Sequence, residues 1–434
     1  MRVLLIAEAC NPVWTSVPLV GYNFVRALAA RKDLDVVIAT HPRNRPDIEN
    51  DRINDLATFI YPDNEYIAKK IYNFAQFFRG GKGKGWTTNT GFAALSYLFF
   101  ERELHKLVKS ELKNGEFDLI HRITPVSPTA ASPLAKWTDV PMILGPLNGG
   151  LPWPSEYPEL RKKENEFLVP LRKIYKLFPY YKATYKNAAG VISGSQHTAT
   201  EVPKYFRGKK FVLPENGVDP ERFELADDWT PPEFDGRFRF VTVGRLVPYK
   251  GLWLTLEAMR NSKILRECEL VVIGDGPDRP AIEAKVKEYQ LEEQVIFKGW
   301  LDQREMGKEL AQSQCFVFPS LREFGGGVVL EAMASGLPSI VVNYGGPTDL
   351  IDDNSGILLP MQGRDEMVTA LQQAMETLVD NPALCRDYAL HAVEQVKQHF
   401  TWDAKAEKLC RIYQEVLGKD SCETTQNEKQ VTLV

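Results

Sequence analysis

Short runs in which nearly every position is apolar alternate along this chain with longer stretches whose apolar residues recur every three to four positions. The short runs fall at 3–7, 36–40, 117–122, within 141–150, and at 189–193 and 210–213. They resume at 238–244, 269–274, 295–299, 315–318, 340–343 and 356–359. Runs that are apolar throughout and closed by Gly, Pro or Asn predict strands covered on both faces. The periodic stretches at 19–30, 282–289, 328–335 and 404–417 predict helices. Strand and helix in alternation predict parallel α/β sheets, and two such series predict two nucleotide-binding-type domains.

The break between the series is a polar, proline-bearing stretch at 227–236, and the connection lies between about 205 and 236. Domains at 1–210 and 211–399 are therefore expected. Residues 419–434 are polar and are expected to be a disordered tail.

Composition changes this picture little. With 434 residues, 44% hydrophobic and 25% charged, the chain suits a globular protein of two or three domains. The net charge of -4 hides an asymmetry: residues 1–210 hold 30 Lys/Arg against 20 Asp/Glu, and the remainder holds 23 against 37. A basic first domain suits an anionic lipid surface, a polyanionic acceptor or attraction to the second domain, and no nucleic-acid partner is expected. Two stretches, 61–110 and 161–186, interleave aromatic residues with lysines and arginines; each suits either a membrane surface or an amphipathic helix buried in its domain. Six scattered cysteines show neither a CxxC pair nor a metal-ligand spacing, and no apolar run is long enough to span a membrane. A cytoplasmic location, peripheral to a membrane at most, is expected.

The candidate chemistry lies in the second series. After the run 315–318 come Glu323, Phe324, Gly325, Gly326 and Gly327, and then a helix-like stretch bearing Glu331. Glycines between a strand end and a helix start let a ligand approach the backbone, and the first helical amides, lacking internal partners, face an anion. Gly244-Arg245-Leu-Val-Pro-Tyr-Lys250-Gly251 places two cations and two glycines at the end of another strand. A guanidinium fork and a mobile ammonium suit a diphosphate.

These residues resemble the retaining glycosyltransferases of the GT4 type, whose architecture is GT-B: two facing Rossmann-like α/β domains. The resemblance rests on Glu323, Glu331 and the run Glu331-Ala-Met-Ala-Ser-Gly-Leu-Pro338, with Arg245 and Lys250 matching the diphosphate-binding pair. It implies that Glu323 contacts the donor sugar and Glu331 the ribose. It also implies that the turns at Gly274 and Gly299 surround the nucleotide, and that the helix after Phe400-Thr401-Trp402, at about 400–418, crosses back onto the first domain. His121, after its strand, matches an active-site histidine near the sugar. Gly244, Gly326 and Gly327 join the donor site, and Asn148, Gly149 and Gly150 are placed on the acceptor side. Three consecutive glycines where the family has an aromatic residue and then a glycine predict a more open or more mobile loop, and the family's Gly-Gly pair is missing from 8–21.

The function implied is transfer of a sugar from a UDP- or GDP-linked donor to a sugar, lipid-linked or small-molecule hydroxyl, without metal or other cofactor. A GT-B phosphorylase, a sugar-nucleotide epimerase and a non-catalytic nucleotide-sugar-binding protein are the alternatives. An NAD-linked enzyme is disfavoured because the first strand is not followed by G-x-G-x-x-G.

Overall fold

The computed structural model describes residues 1–78, 86–163, 175–219 and 236–419. Arg79, Lys82 and Lys84, the stretch 164–174 and the tail beyond 419 lie outside the described residues, as do the side chains of 74–93.

Two wholly parallel sheets organise the chain. The first runs β3-β2-β1-β4-β5-β6-β7, from β1 (Arg2–Ala7), β2 (Asp35–Ala39), β3 (Thr58–Ile60), β4 (Leu119–Thr124), β5 (Met142–Leu147), β6 (Gly190–Ser193) and β7 (Lys209–Val212). The second runs β10-β9-β8-β11-β12-β13, from β8 (Arg239–Val243), β9 (Glu269–Ile273), β10 (Val295–Gly299), β11 (Cys315–Phe318), β12 (Ser339–Val342) and β13 (Gly356–Leu359). The first sheet ends past the boundary at 210, because β7 pairs with β6 through Val212.

Side-chain alternation along each strand builds a core on both faces of each sheet. Val3, Leu5 and Ala7 of β1 join one layer, and Leu4 and Ile6 the other. In β9, Leu270 and Val272 face one way and Val271 and Ile273 the other. The inner strands leave almost no face for water, which is why they read as unbroken apolar runs.

The chain passes between the domains twice, and the two passes are bonded to each other. The Val218 amide donates to the Phe400 carbonyl (2.9 Å), and the Trp402 amide donates back to Val218 (3.3 Å). Thr401 caps the helix Trp402–Val416, accepting from the Ala404 amide. That helix buries Trp402, Ala406, Leu409, Cys410 and Tyr413 in the first domain's core, so it crosses back as the resemblance implied. A third link comes from the segment after β5: Tyr157 and Leu160 bury themselves in the second domain's core.

The large apolar and aromatic residues of the two basic stretches divide. Tyr97, Phe100, Tyr181 and Tyr185 are core, whereas Leu177 is 84% exposed and Tyr180 39%. Among the described residues no helix is long and apolar enough to cross a membrane.

Candidate functional site

In an open parallel sheet a crevice forms where successive strands depart in opposite directions, beyond their carboxyl ends. In the second sheet that point lies between β8 and β11, and both glycine-bearing loops leave from there. Backbone bonds fix the loops to each other. The Leu321 amide donates to Tyr249 (2.8 Å), the Leu246 amide to Asp275 (3.0 Å), and the Gly346 amide to Glu323 (3.1 Å). Gly274 is glycine because a Cβ would strike the Gly244 backbone; its amide donates to Gly299 (2.7 Å), joining three proposed donor-side turns.

Gly326 sits at φ 64° and opens the helix Gly327–Ala334. A left-handed residue at that point turns the chain so that the helix begins at the crevice. Glu331 lies in the second turn, half-buried. Lys250 ends a short 3₁₀ turn, with its Nζ 4.8 Å from the Phe318 ring centre and paired with Glu323 Oε2. Glu323 Oε1 accepts from the Gly326 amide at 3.4 Å. Arg245 is exposed and has no ion-pair partner among the described residues. The structure thus brings Lys250, Glu323, Gly326 and Gly327 together, with Arg245 on the adjoining loop.

His121 is not at the site. It sits in the middle of β4, fully buried, on the sheet face covered by the crossing helix. Its Nε2 donates to the Gly145 carbonyl (2.7 Å) and its Nδ1 accepts from the Tyr413 hydroxyl (2.6 Å). Burial lowers its pKa to about 4, so it is a neutral core residue with both nitrogens engaged, and the sequence expectation of a sugar contact is corrected. Its neighbour Arg122 points to the opposite layer, donating to the Ala130 carbonyl (2.7 Å).

The three-glycine loop is not open either. Gly325 and Gly326 are buried, and the room beside Gly325 is taken by Glu215 and Asn216 from the first interdomain pass. Asn148 gives its side-chain amide to Glu215 Oε1, so it belongs to the domain junction. Gly149 adopts φ 142° and accepts from the Thr198 hydroxyl at 3.3 Å; Gly150 adopts φ 81°. In the loop 8–16, where a Gly-Gly pair was missing, Asn11 Oδ1 accepts from the Val13 and Trp14 amides (2.9 and 3.1 Å).

Two groups of residues escaped sequence reasoning. Arg322 is buried, donates twice to the Leu151 carbonyl (3.2 and 3.1 Å), and stacks on Trp153 and Phe324 at 4.7 and 4.9 Å. Trp153 also meets Tyr249 edge-on at 5.8 Å. A first-domain segment therefore grips the residues next to both Lys250 and Glu323. The second is Glu215, which in sequence is only the first residue of the segment Glu215–Asp219 leading from the first domain towards the second.

Two facing α/β domains, joined by a double crossing and carrying a cation pair and a glycine-started helix at one switch point, define the GT-B class. Residues 226–392, which include the described part of the second domain up to that point, match the family described as glycosyl transferases group 1. Among relatives, the chain is 29% identical over 201 residues to an alpha-D-kanosaminyltransferase of Streptomyces kanamyceticus, covering 46% of this chain and 50% of that one. It is 33% identical over 226 residues to a GDP-mannose-dependent alpha-mannosyltransferase of Mycolicibacterium smegmatis, covering 51% and 55%. The chain thus spans about half the length of the curated relatives it matches. In fold it is similar to a sucrose-phosphate synthase from Thermosynechococcus elongatus, with a TM-score of 0.62 at 20% identity over 96% of this chain and 100% of that one.

Proposed function

We propose that the protein is a retaining glycosyltransferase that moves a sugar from a nucleoside-diphosphate donor, held by the second domain, to a hydroxyl acceptor on the first. The observation that carries this reading is the convergence of Lys250, the Gly326–Gly327 helix start and Glu323 at the switch point between β8 and β11, with Arg245 alongside. The family matched by residues 226–392 and the names of the relatives support it.

In the proposed step the bond from the anomeric carbon to the diphosphate oxygen breaks while the acceptor oxygen bonds that carbon on the same face. The acceptor's proton passes to the leaving phosphate. Arg245, Lys250 and the helix amides take up the developing negative charge, each charge-assisted bond contributing about 1.5 to 3 kcal/mol, and no metal is assigned to the step. Glu323 orients the sugar and Glu331 the ribose.

The test is release of nucleotide from UDP- and GDP-sugars without acceptor. Slow release of UDP or GDP from one donor series is expected; a folded protein that neither binds nor cleaves any of them would overturn the reading. A phosphorylase would instead need inorganic phosphate, and an epimerase would return an intact nucleotide-sugar.

We further propose that the first domain rests on an anionic cytoplasmic membrane surface. Exposed Leu177 and Tyr180 lie in one shallow depression with Lys136, Lys176, Lys182 and Lys186, an apolar centre ringed by cations.

A further inference from the structure

Gly325 lacks a side chain, yet the space beside it is full. A Cβ there would run into Glu215 Oε1 and Asn216 Nδ2, with Glu215 Cδ at 3.0 Å. The residue is not in the left-handed region, so crowding alone bars a larger side chain. Glu215 stands on the first interdomain pass and is 7% exposed. Its Oε1 also accepts from Asn148, just beyond β5. Its Oε2 has no hydrogen-bond partner among the described residues and abuts Gly194, just beyond β6. The preceding carbonyl, Pro214, accepts from the buried Lys405 Nζ of the crossing helix at 2.6 Å. One carboxyl group therefore touches the first domain, the donor loop and the interdomain pass at once.

We infer that Glu215 is a positioning residue of the donor site: its carboxyl takes the place of the side chain missing at 325 and holds the Gly325–Gly327 loop in register with the first domain. The amides of that loop face the proposed diphosphate, so the inference rests on the diphosphate reading. Burial raises the Glu215 carboxyl to about 7 and, in the same pocket, lowers Lys405 to about 7. Ionisable groups kept in such surroundings carry a desolvation cost and are poor material for stability. Geometry is what the carboxyl adds.

The test is a double-mutant cycle in the full chain: Glu215→Ala, Gly325→Ala and the two combined, with Glu215→Gln as the conservative variant. Affinity for UDP and for GDP is measured by calorimetry, and stability by urea unfolding. Each alanine is expected to weaken binding of the preferred nucleotide about tenfold. The double variant should also lose about tenfold, because the new Cβ enters the space that the carboxyl vacates, and Glu215→Gln should stay within about threefold. A hundredfold loss in the double variant, or losses confined to stability with affinity unchanged, would overturn the inference. If the wild-type chain binds neither UDP nor GDP, the diphosphate reading itself falls. The contact is then judged from urea unfolding alone, where additive losses overturn it.

Discussion

Lys250 and Glu323 meet as an ion pair beyond the carboxyl ends of two neighbouring strands, β8 and β11. Through its other oxygen Glu323 accepts from the Gly326 amide, so one protein carboxylate occupies both the cation and the helix start assigned to the donor phosphates. Both side chains are about four-fifths buried, which limits screening. A free nucleoside diphosphate must therefore displace Glu323. Glu323→Gln is expected to tighten UDP or GDP binding by about fivefold, equivalent to about 1 kcal/mol of lost competition, while turnover falls for want of the sugar contact. Calorimetry beside donor-cleavage rates checks both, and weaker diphosphate binding in this variant would refute the competition.

Arg245→Ala and Lys250→Ala should each lower turnover by about a hundredfold or more, as expected of groups facing charge that develops in the transition state. The fold should persist, since Arg245 is exposed and Lys250 lies in the turn beyond β8, outside the sheet and its core clusters. Activity is expected to survive EDTA, because these cations and the helix amides carry the charge in the proposed step. Loss that Mg²⁺ or Mn²⁺ restores would contradict that assignment, and near-normal rates in both variants would remove the site.

The sheets were legible because parallel strands buried on both faces leave uninterrupted apolar runs. Twelve of the thirteen strands correspond to such runs; the exception, β3, is an edge strand of only three residues, Thr58–Ile60, too short to leave a run. The loops that carry Lys250 and Glu323 could be placed from sequence because each motif is local and its strand-end position fixes where the loop leaves the sheet. His121 misled for a definable reason. Being near a strand's carboxyl end says nothing about which face a side chain takes, and Tyr413, its partner, lies 292 residues away on a helix of the opposite terminus. Glu215 was unreadable in the same way. Nothing near it in sequence announces Asn148, Gly325 or Lys405, and a carboxylate in a connection ordinarily means solvent.

The corrected place of His121 predicts a stability effect in acid. In the unfolded chain a histidine titrates near 6.5, whereas burial holds His121 at about 4 in the folded one. The folded state therefore favours the neutral ring, and its contribution is intact above pH 6.5 and is lost as pH falls from 6.5 towards 4. The loss amounts to about 3 kcal/mol at most. Urea midpoints should drop over that interval. His121→Ala should be less stable than wild type by about 2 to 5 kcal/mol at neutral pH, through two lost buried hydrogen bonds and a cavity. Turnover per folded molecule should change little. A variant of full stability with lost turnover would return His121 to the site.

The proposed membrane attachment of the first domain is peripheral and electrostatic. Lys136, Lys176, Lys182 and Lys186 surround exposed Leu177 and Tyr180, and Lys69 and Lys70 are exposed on the helix Glu65–Phe78. Each lysine near an anionic surface contributes about 1 kcal/mol, and that contribution fades within a Debye length of about 10 Å at 0.1 M salt. Sedimentation with phosphatidylglycerol-containing vesicles at low salt should retain the protein, neutral phosphatidylcholine vesicles should not, and added salt should release it. Changing Lys176, Lys182 and Lys186 to Glu should weaken retention by about a hundredfold or more, and the neutral Leu177→Asn should weaken it further without altering the salt dependence. Equal binding to neutral and anionic vesicles, or none to either at low salt, would leave the acceptor as a soluble molecule and the lysines as an ordinary solvated face.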